Sequence, residues 1–326
     1  MTETTMVEAI RLALARAMAD DDSVVLLGQD IGRNGGVFRA TEGLQSQFGE
    51  QRVIDTPLAE AMIAGTAVGM AAGGLRPVAE IQFMGFIYSA MDQLINHAAR
   101  LRNRTRGRLS CPLVLRAPFG AGIHAPEHHS ESMEALFAHV PGLRVVIPSS
   151  PARAYGLLLA AIADPDPVVF LEPKRIYRAQ QEDVADDGQA LPLDSCFILR
   201  EGEDITLVSW GAMLMETLAA ADSLAEQGYR AEVVDVATLR PLDMPTIAAS
   251  VVKTGRAVIV HEAPGSGGFG AEIAARLAQE QLADLLAPVI RVSGPDTLVP
   301  LPRLEEYYLP DSGSIVEAAL QALQYR

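Results

Sequence analysis

Strand-like and helix-like segments alternate along the chain. The predicted strands, such as residues 23–30 (SVVLLGQD) and 167–173 (PVVFLEP), contain continuous apolar runs and do not alternate apolar with polar residues. Such runs are typical of parallel strands that helices cover on both faces. The pattern therefore predicts an α/β fold with mostly parallel sheets.

A polar, acidic stretch at residues 179–195 interrupts this alternation. Because it has no clear helical or strand period, we interpret it as a linker between two domains, 1–178 and 196–326. A chain of 326 residues is long enough for two cores. The predicted helices are at 6–20, 57–73, 88–102, 152–164, 212–227, 245–253, 270–286 and 314–324.

Composition narrows the range of functions. The formal net charge is −15, so the surface should repel nucleic acid and anionic membranes and suit a basic partner, although solubility alone would also explain it. No apolar run reaches the roughly 18 residues that a membrane helix needs. The N-terminus, MTETTMVEAI, lacks the regions of a signal peptide, which predicts a cytoplasmic protein.

Residues 265–270 (GSGGFG) match the dinucleotide-binding pattern G-x-G-x-x-G after a predicted strand. Tight turning and close packing would explain the same glycines without a ligand. We favour that explanation, because a lone glycine pattern is weakly specific.

Residues 124–128 (HAPEH) match an inverted zinc-protease motif. That motif needs a helix, so that both imidazoles share one face. Pro126 inside a helix would cost about 3 kcal/mol, so we interpret the segment as a loop without zinc.

Glu60 is the single charged residue from Pro57 to Leu75, in a segment that is apolar on every face. Thr56 would cap a helix that begins at Pro57, but a capping box would place its acid one residue earlier than Glu60. The segment predicts a buried helix, in which an unpaired carboxylate is costly. We therefore expect either a functional group or a buried structural partner to face Glu60.

Nine segments stand in a fixed order along the chain: VIDTPLAEAMIAG, GLRPVAEIQF, MDQLINHAAR, GIHAPEHHSES, HVPGLRVVIPSSP, DPVVFLEPKRIYR, TLRPLDM, KTGRAVIVHEAP and GGFGAEI. This ordered set resembles the β subunit of the decarboxylating component of 2-oxoacid dehydrogenase complexes. The resemblance spans nearly the whole chain and implies a pyrimidine-binding domain followed by a transketolase C-terminal-like domain.

The resemblance implies that thiamin diphosphate binds here through its pyrimidine half. Glu60 matches the glutamate that hydrogen-bonds the pyrimidine N1′ and thereby promotes loss of the thiazolium C2 proton. Phe86 matches an aromatic residue that stacks on the pyrimidine, and Gln82 matches a nearby polar position. A core aromatic would explain Phe86 equally well from composition alone.

The resemblance also implies an active-site histidine at His129, with His128 as the adjacent alternative and His124 near the substrate or lipoyl group. Histidine titrates near neutral pH and suits proton transfer. Family members often hold a potassium ion, mostly by backbone oxygens; the matching positions are Leu113, Ala161, Ile162, Asp164 and Asp166.

The sequence contains no Gly-Asp-Gly, the usual signature for diphosphate and Mg²⁺. The resemblance therefore implies that a separate α subunit carries the Mg²⁺ in an α2β2 heterotetramer. It also implies docking to the basic subunit-binding domain of a lipoyl acyltransferase.

The expected reaction is oxidative decarboxylation of a 2-oxoacid with reductive acylation of a lipoyl group. EPKRIYR and HEAP with GGF favour a branched-chain 2-oxoacid, and HAPEHH is closer to pyruvate enzymes. The alternatives are another split thiamin enzyme, such as acetoin dehydrogenase or half of a transketolase, and a non-catalytic scaffold or regulatory subunit.

Overall fold

The computed structural model describes residues 3–325. They form two compact units: the described residues up to Phe119 with Leu136–Leu193, and Gly120–Ala135 with the described residues from Asp194 onward. The short segment 120–135 thus belongs to the second unit, although the chain on both sides of it belongs to the first. The domain boundaries expected from the sequence remain a prediction.

The strands and helices follow each other in the alternation that the sequence predicts. The strands are β1 (Glu3–Thr5), β2 (Val24–Gly28), β3 (Val53–Asp55), β4 (Arg76–Glu80), β5 (Val114–Phe119), β6 (Arg144–Val146), β7 (Val168–Pro173), β8 (Gln181–Asp183), β9 (Phe197–Arg200), β10 (Ile205–Ser209), β11 (Ala231–Asp235), β12 (Thr238–Arg240), β13 (Ala257–Pro264) and β14 (Ile290–Gly294). The helices are α1 (Met6–Asp20), α2 (Leu44–Phe48), α3 (Glu60–Ala72), α4 (Leu101–Arg104), α5 (Glu134–Ala138), α6 (Pro151–Ala163), α7 (Met213–Glu226), α8 (Met244–Thr254), α9 (Gly270–Glu280) and α10 (Ser312–Leu323).

In the first unit, six parallel strands lie in the order β6–β7–β5–β4–β2–β3. The inner strands β2, β5 and β7 are buried along their whole length, as expected for a sheet that helices cover on both faces. In the second unit the order is β14–β13–β10–β11–β9, with only β9 antiparallel. The predicted α/β class with mostly parallel sheets is confirmed.

A buried ionic network ties three neighbouring strands of the first unit together. Arg116 on β5 donates from Nε and Nη2 to the two carboxylate oxygens of Glu172 on β7, at 2.7 and 2.8 Å. Its Nη1 also donates to Glu80 at the end of β4. Tyr177 completes the network, because its hydroxyl donates to Glu172 Oε2 at 2.5 Å. All four side chains are buried. The single guanidinium balances only one of the two carboxylate charges, and burial, with a smaller contribution from Glu172, raises the pKa of Glu80.

The helix predicted at 88–102 is wrong as a single α-helix. The chain forms a 3₁₀ helix (Met84–Ala90), a π-helical turn (Gln93–His97), a second 3₁₀ turn (Ala98–Arg100) and then the short α4. The apolar periodicity of a sequence does not distinguish these tighter and wider turns from an α-helix. Helix α9 also ends at Glu280, earlier than the predicted residue 286.

Two further expectations are corrected in the first unit. The predicted linker is not wholly irregular, because its strand β8 pairs antiparallel with β1. The helix predicted to begin at Pro57 begins at Glu60, and its N-cap is Ala59. The N–H of Thr56 donates to the carbonyl oxygen of Gly28 at 3.0 Å, which holds Thr56 in the extended chain beside β2 and away from the capping position.

Candidate functional site

The order of strands in the first unit defines a cleft-forming edge of the sheet. From β2, the chain adds β3 on one side and then crosses to add β4 on the other side. In such parallel sheets, ligands bind beyond the carboxyl ends of the strands where the direction of winding changes. The segments that follow β2, β3 and β4 are therefore the place to look for a ligand site.

The polar candidates of the first unit lie at this edge. Gln82 follows β4, and its Nε2 lies 3.4 Å from the carbonyl oxygen of Gln29 and 3.5 Å from Oδ2 of Asp30, both of which follow β2. These contacts hold the Gln82 side chain at the point where the winding changes direction.

Glu60 follows β3 as the first residue of α3. An acid in this first turn is favoured by the helix dipole. The predicted burial is wrong for this chain: Glu60 is half-buried, and α3 leaves Ala61, Met62 and Thr66 exposed. An apolar helix with an exposed face leaves the carboxylate within reach of a ligand or a partner.

Phe86 lies in the 3₁₀ helix that packs against α3. It is half-buried, and its ring packs edge to face on Phe83, with 5.7 Å between the centroids and 80° between the planes. The structure therefore brings the helices that carry Glu60 and Phe86 into contact at the same edge of the sheet as Gln82.

The histidine candidates lie in the second unit, on a segment we call the histidine loop (residues 120–131). The N–H of Gly120 donates to the carbonyl oxygen of Glu131 at 3.0 Å and closes the loop at its base. His128 and His129 belong to a short 3₁₀ turn, and their rings lie 6.3 Å apart, nearly perpendicular to each other. His129 is half-buried and His128 is exposed.

His124 lies next to a buried acid. Its Nδ1 lies 3.0 Å from Oε2 of the buried Glu305. The segment is a loop, as predicted, and no group of three or more metal-ligating acids, histidines or cysteines occurs among the described residues.

Two buried acids lie behind the histidine loop in the second unit. Glu134 accepts a hydrogen bond from Nε1 of Trp210 at 3.2 Å, and Glu262 accepts one from the hydroxyl of Ser132 at 2.7 Å. Burial, with a smaller contribution from the charge of Glu262, raises the pKa of Glu134 to about 8. Glu134 therefore holds a proton at neutral pH.

Sequence reasoning missed Glu134, Glu262 and Glu305. Each is an ordinary acid in its local sequence, and only distant partners distinguish it. The glycines at 265–270, in contrast, have the packing role that we favoured: a Cβ at Gly268 or Gly270 would lie within 2.7 Å of the buried His261 ring.

The positions predicted for potassium lie where α6 ends and β5 begins, in the first unit. Nη1 of Arg76 donates to the carbonyl oxygen of Ile162 at 2.8 Å and lies 3.4 Å from that of Asp164. A carbonyl oxygen has a second lone pair, so both oxygens retain an acceptor position, and the potassium ion stays a prediction. The five positions are Leu113, Ala161, Ile162, Asp164 and Asp166.

Comparison with known proteins agrees with this architecture. A model of the transketolase pyrimidine binding domain matches residues 2–180, and one of the transketolase C-terminal domain matches residues 195–315. A solved structure described as split gene transketolase, inactive beta4 tetramer, has a TM-score of 0.80 with 24% identity and covers 99% of both chains. At that identity it shows the fold alone.

Two proteins with similar sequences have the same name. The proteins of Bacillus subtilis (strain 168) and Staphylococcus aureus (strain N315) are 47% and 44% identical over 325 residues and cover 100% of both chains. Each is named pyruvate dehydrogenase E1 component subunit beta. With both transketolase domains in order, the chain belongs to the family of β subunits of the thiamin-dependent E1 component of 2-oxoacid dehydrogenases, which work with an α subunit.

Proposed function

We propose that this β subunit contributes the pyrimidine half of a thiamin diphosphate site in an α2β2 enzyme that acts on pyruvate. The observation that carries the proposal is the grouping of Glu60, Gln82 and Phe86 at the carboxyl edge of one sheet. Pyruvate takes precedence over the branched-chain 2-oxoacids that two sequence segments favoured, because the similar proteins are named for pyruvate.

The chemistry of these residues fits the group. Glu60 would hold the pyrimidine ring nitrogen by a hydrogen bond from the first turn of α3, while Phe86 would provide an apolar contact and Gln82 a polar one. When bound, thiamin diphosphate supplies the electron sink for the loss of CO₂. The absence of Gly-Asp-Gly from the sequence supports a role for the α subunit in binding the diphosphate and Mg²⁺.

His129 is our choice for proton transfer during acylation of the lipoyl group. Its half-buried ring is less hydrated than the exposed ring of His128, which suits a directed proton transfer. The net charge of −15 also fits docking to a basic subunit-binding domain of a lipoyl acyltransferase, an association that salt should weaken. Among the described residues, no helix is long and apolar enough to cross a membrane; the cytoplasmic location stays a prediction.

Substitution of Glu60 in the reconstituted α2β2 complex tests the enzyme proposal. Glu60→Gln keeps the size of the side chain and removes its charge, so kcat for pyruvate decarboxylation should fall by about 10²-fold or more while the thermal stability of the complex is unchanged. Glu50→Gln, at an exposed position of the same unit, is the matched control. An unchanged kcat in Glu60→Gln would favour a scaffold.

The substrate is tested on the wild-type complex by kcat/KM for pyruvate and for branched 2-oxoacids. We expect pyruvate to have the higher value. A difference of one or two methylenes between substrates changes transition-state binding by only about 1–3 kcal/mol. Turnover of one substrate therefore does not exclude the other, and kcat/KM should be measured for both. A higher kcat/KM for the branched acids would restore the preference expected from the sequence.

A further inference from the structure

We infer that Glu305 is a positioning residue that fixes the histidine loop and sets which nitrogen of His124 faces outward. The inference deepens the proposed function, because it assumes that the loop serves acyl transfer. Glu305 lies in the second unit on a six-residue 3₁₀ helix (Pro302–Tyr307). Its side chain is 1% exposed, although it carries an acid.

The carboxylate of Glu305 binds the loop at three points. Oε1 accepts the backbone N–H of Gly122 at 2.8 Å. Oε2 accepts the backbone N–H of His124 at 2.8 Å and lies 3.0 Å from Nδ1 of the same residue. Hydrogen bonds to a carboxylate are stronger than those between neutral groups, so one side chain holds both amides.

The His124 amide belongs to backbone in a conformation that only glycine adopts readily. Gly122 has a φ of +92° and His124 a φ of +56°. The left-handed region costs a residue other than glycine about 1–2 kcal/mol, so His124 needs support from its surroundings. Glu305 supplies that support through the two N–H groups.

The chain segment that follows Glu305 is anchored by apolar packing. Tyr308 and Leu309, three and four residues after Glu305, pack with Ala121 and Val299 in a small apolar cluster. Ala121 belongs to the histidine loop, so the apolar cluster and the carboxylate hold the loop from two directions.

The ring contact has a chemical consequence. To donate to Glu305, Nδ1 of His124 must carry a hydrogen, and in a neutral imidazole the other nitrogen, Nε2, is then an acceptor. The side chain is 70% exposed. In the neutral form of the ring, Glu305 therefore presents Nε2 of His124 outward as a hydrogen-bond acceptor, on the loop that also carries His129, where it would meet the incoming lipoyl group.

Hydrogen exchange and NMR of the chain in the α2β2 complex test the positioning directly. In Glu305→Gln, one carboxylate oxygen is replaced by an NH₂ group, which is a donor and cannot accept a hydrogen bond from a backbone N–H. The rate of hydrogen exchange at the Gly122 and His124 amides should therefore rise by about tenfold or more. ¹⁵N chemical shifts of His124 should show Nδ1–H in the wild type and a mixture of tautomers in Glu305→Gln. Glu306→Gln, at an exposed neighbouring position, should change neither.

Kinetics of the same variants separate positioning from general stability. Glu305→Gln and His124→Ala should lower kcat/KM for a lipoyl domain by about tenfold or more and should lower decarboxylation of pyruvate with an artificial electron acceptor by a clearly smaller factor. His124→Ala should keep the loop amides protected, because the backbone bonds remain.

Unchanged exchange and unchanged lipoyl acylation in Glu305→Gln would overturn the inference, as would equal losses in both half-reactions. If the wild-type complex shows no 2-oxoacid decarboxylation, the proposed function fails; the exchange and ¹⁵N results then still decide whether Glu305 holds the loop.

Discussion

The two units each bury a pair of glutamates next to an aromatic side chain. The groups that contact the carboxylates are charged in one unit and neutral in the other. In the first unit, Arg116 lies between Glu80 and Glu172. In the second unit, Glu134 and Glu262 receive hydrogen bonds from the neutral donors of Trp210 and Ser132. A guanidinium compensates charge, whereas an indole or a hydroxyl only provides a hydrogen bond.

The consequence is visible in protonation. Burial would lower the pKa of Arg116, but Glu172 and Glu80 outweigh it and raise that pKa, so the guanidinium stays charged at any ordinary pH. Burial raises the pKa of Glu134 to about 8. The first pair is therefore held by a permanent cation, and the second contains an acid that titrates near neutral pH.

Removal of the Arg116 guanidinium should have the largest effect on the free energy of unfolding. Arg116→Met leaves two carboxylates buried without a positive charge, and we expect the free energy of unfolding of the purified chain to fall by about 3–5 kcal/mol in denaturant titration. Arg16→Met breaks the more exposed pair with Asp186 in the same unit and should lower the free energy of unfolding much less, because water screens exposed charges. Equal losses in the two variants would mean that burial does not distinguish the two ion pairs.

Titration of Glu134 should have the second largest effect on the free energy of unfolding. Its pKa is about 8 in the folded chain, above the ordinary glutamate value of 4.5, so the folded state binds the proton more tightly than the unfolded state. Its stabilising contribution is therefore fully present below about pH 4.5 and is lost as the pH rises to about 8.

The loss should amount to several kcal/mol between pH 5 and pH 8.5 and should be absent in Glu134→Gln, with unfolding measured at each pH. Trp210 is the single tryptophan of the chain and is bonded to Glu134, so its fluorescence in the native protein should also change with a midpoint near pH 8. A flat wild-type profile would show that Glu134 does not hold the proton.

Removal of a single hydrogen bond should change the free energy of unfolding least. One such variant in each unit compares the two glutamate pairs directly. Tyr177→Phe removes a donor to Glu172, which Arg116 also binds, and should cost about 1.5–3 kcal/mol because the acceptor is charged. Ser132→Ala removes a donor to Glu262 from a pair without an arginine. We expect its cost to rise with pH as Glu134 ionises and that of Tyr177→Phe to stay constant.

Local patterns of the sequence predicted much of the fold. Apolar runs placed the parallel strands correctly, because burial on both faces acts on every residue of such a strand. They did not predict the short strands β1, β8 and β9 as separate elements. The pattern did not reveal the 3₁₀ and π turns within residues 84–100, since α, 3₁₀ and π turns satisfy a similar apolar periodicity. It also placed the start of α3 at Pro57, because the bond from Thr56 to Gly28 joins two distant segments.

The sequence by itself determined the α/β class, the unusual carboxylate at Glu60 and the family resemblance, because each is written in neighbouring residues. Only the tertiary structure decided which other acids are special. Glu305 lies 181 positions from His124, and Arg116 lies 56 from Glu172. Such pairs have no local period or spacing; the charge, proton or hydrogen bond of each acid depends on the partners that packing brings to it.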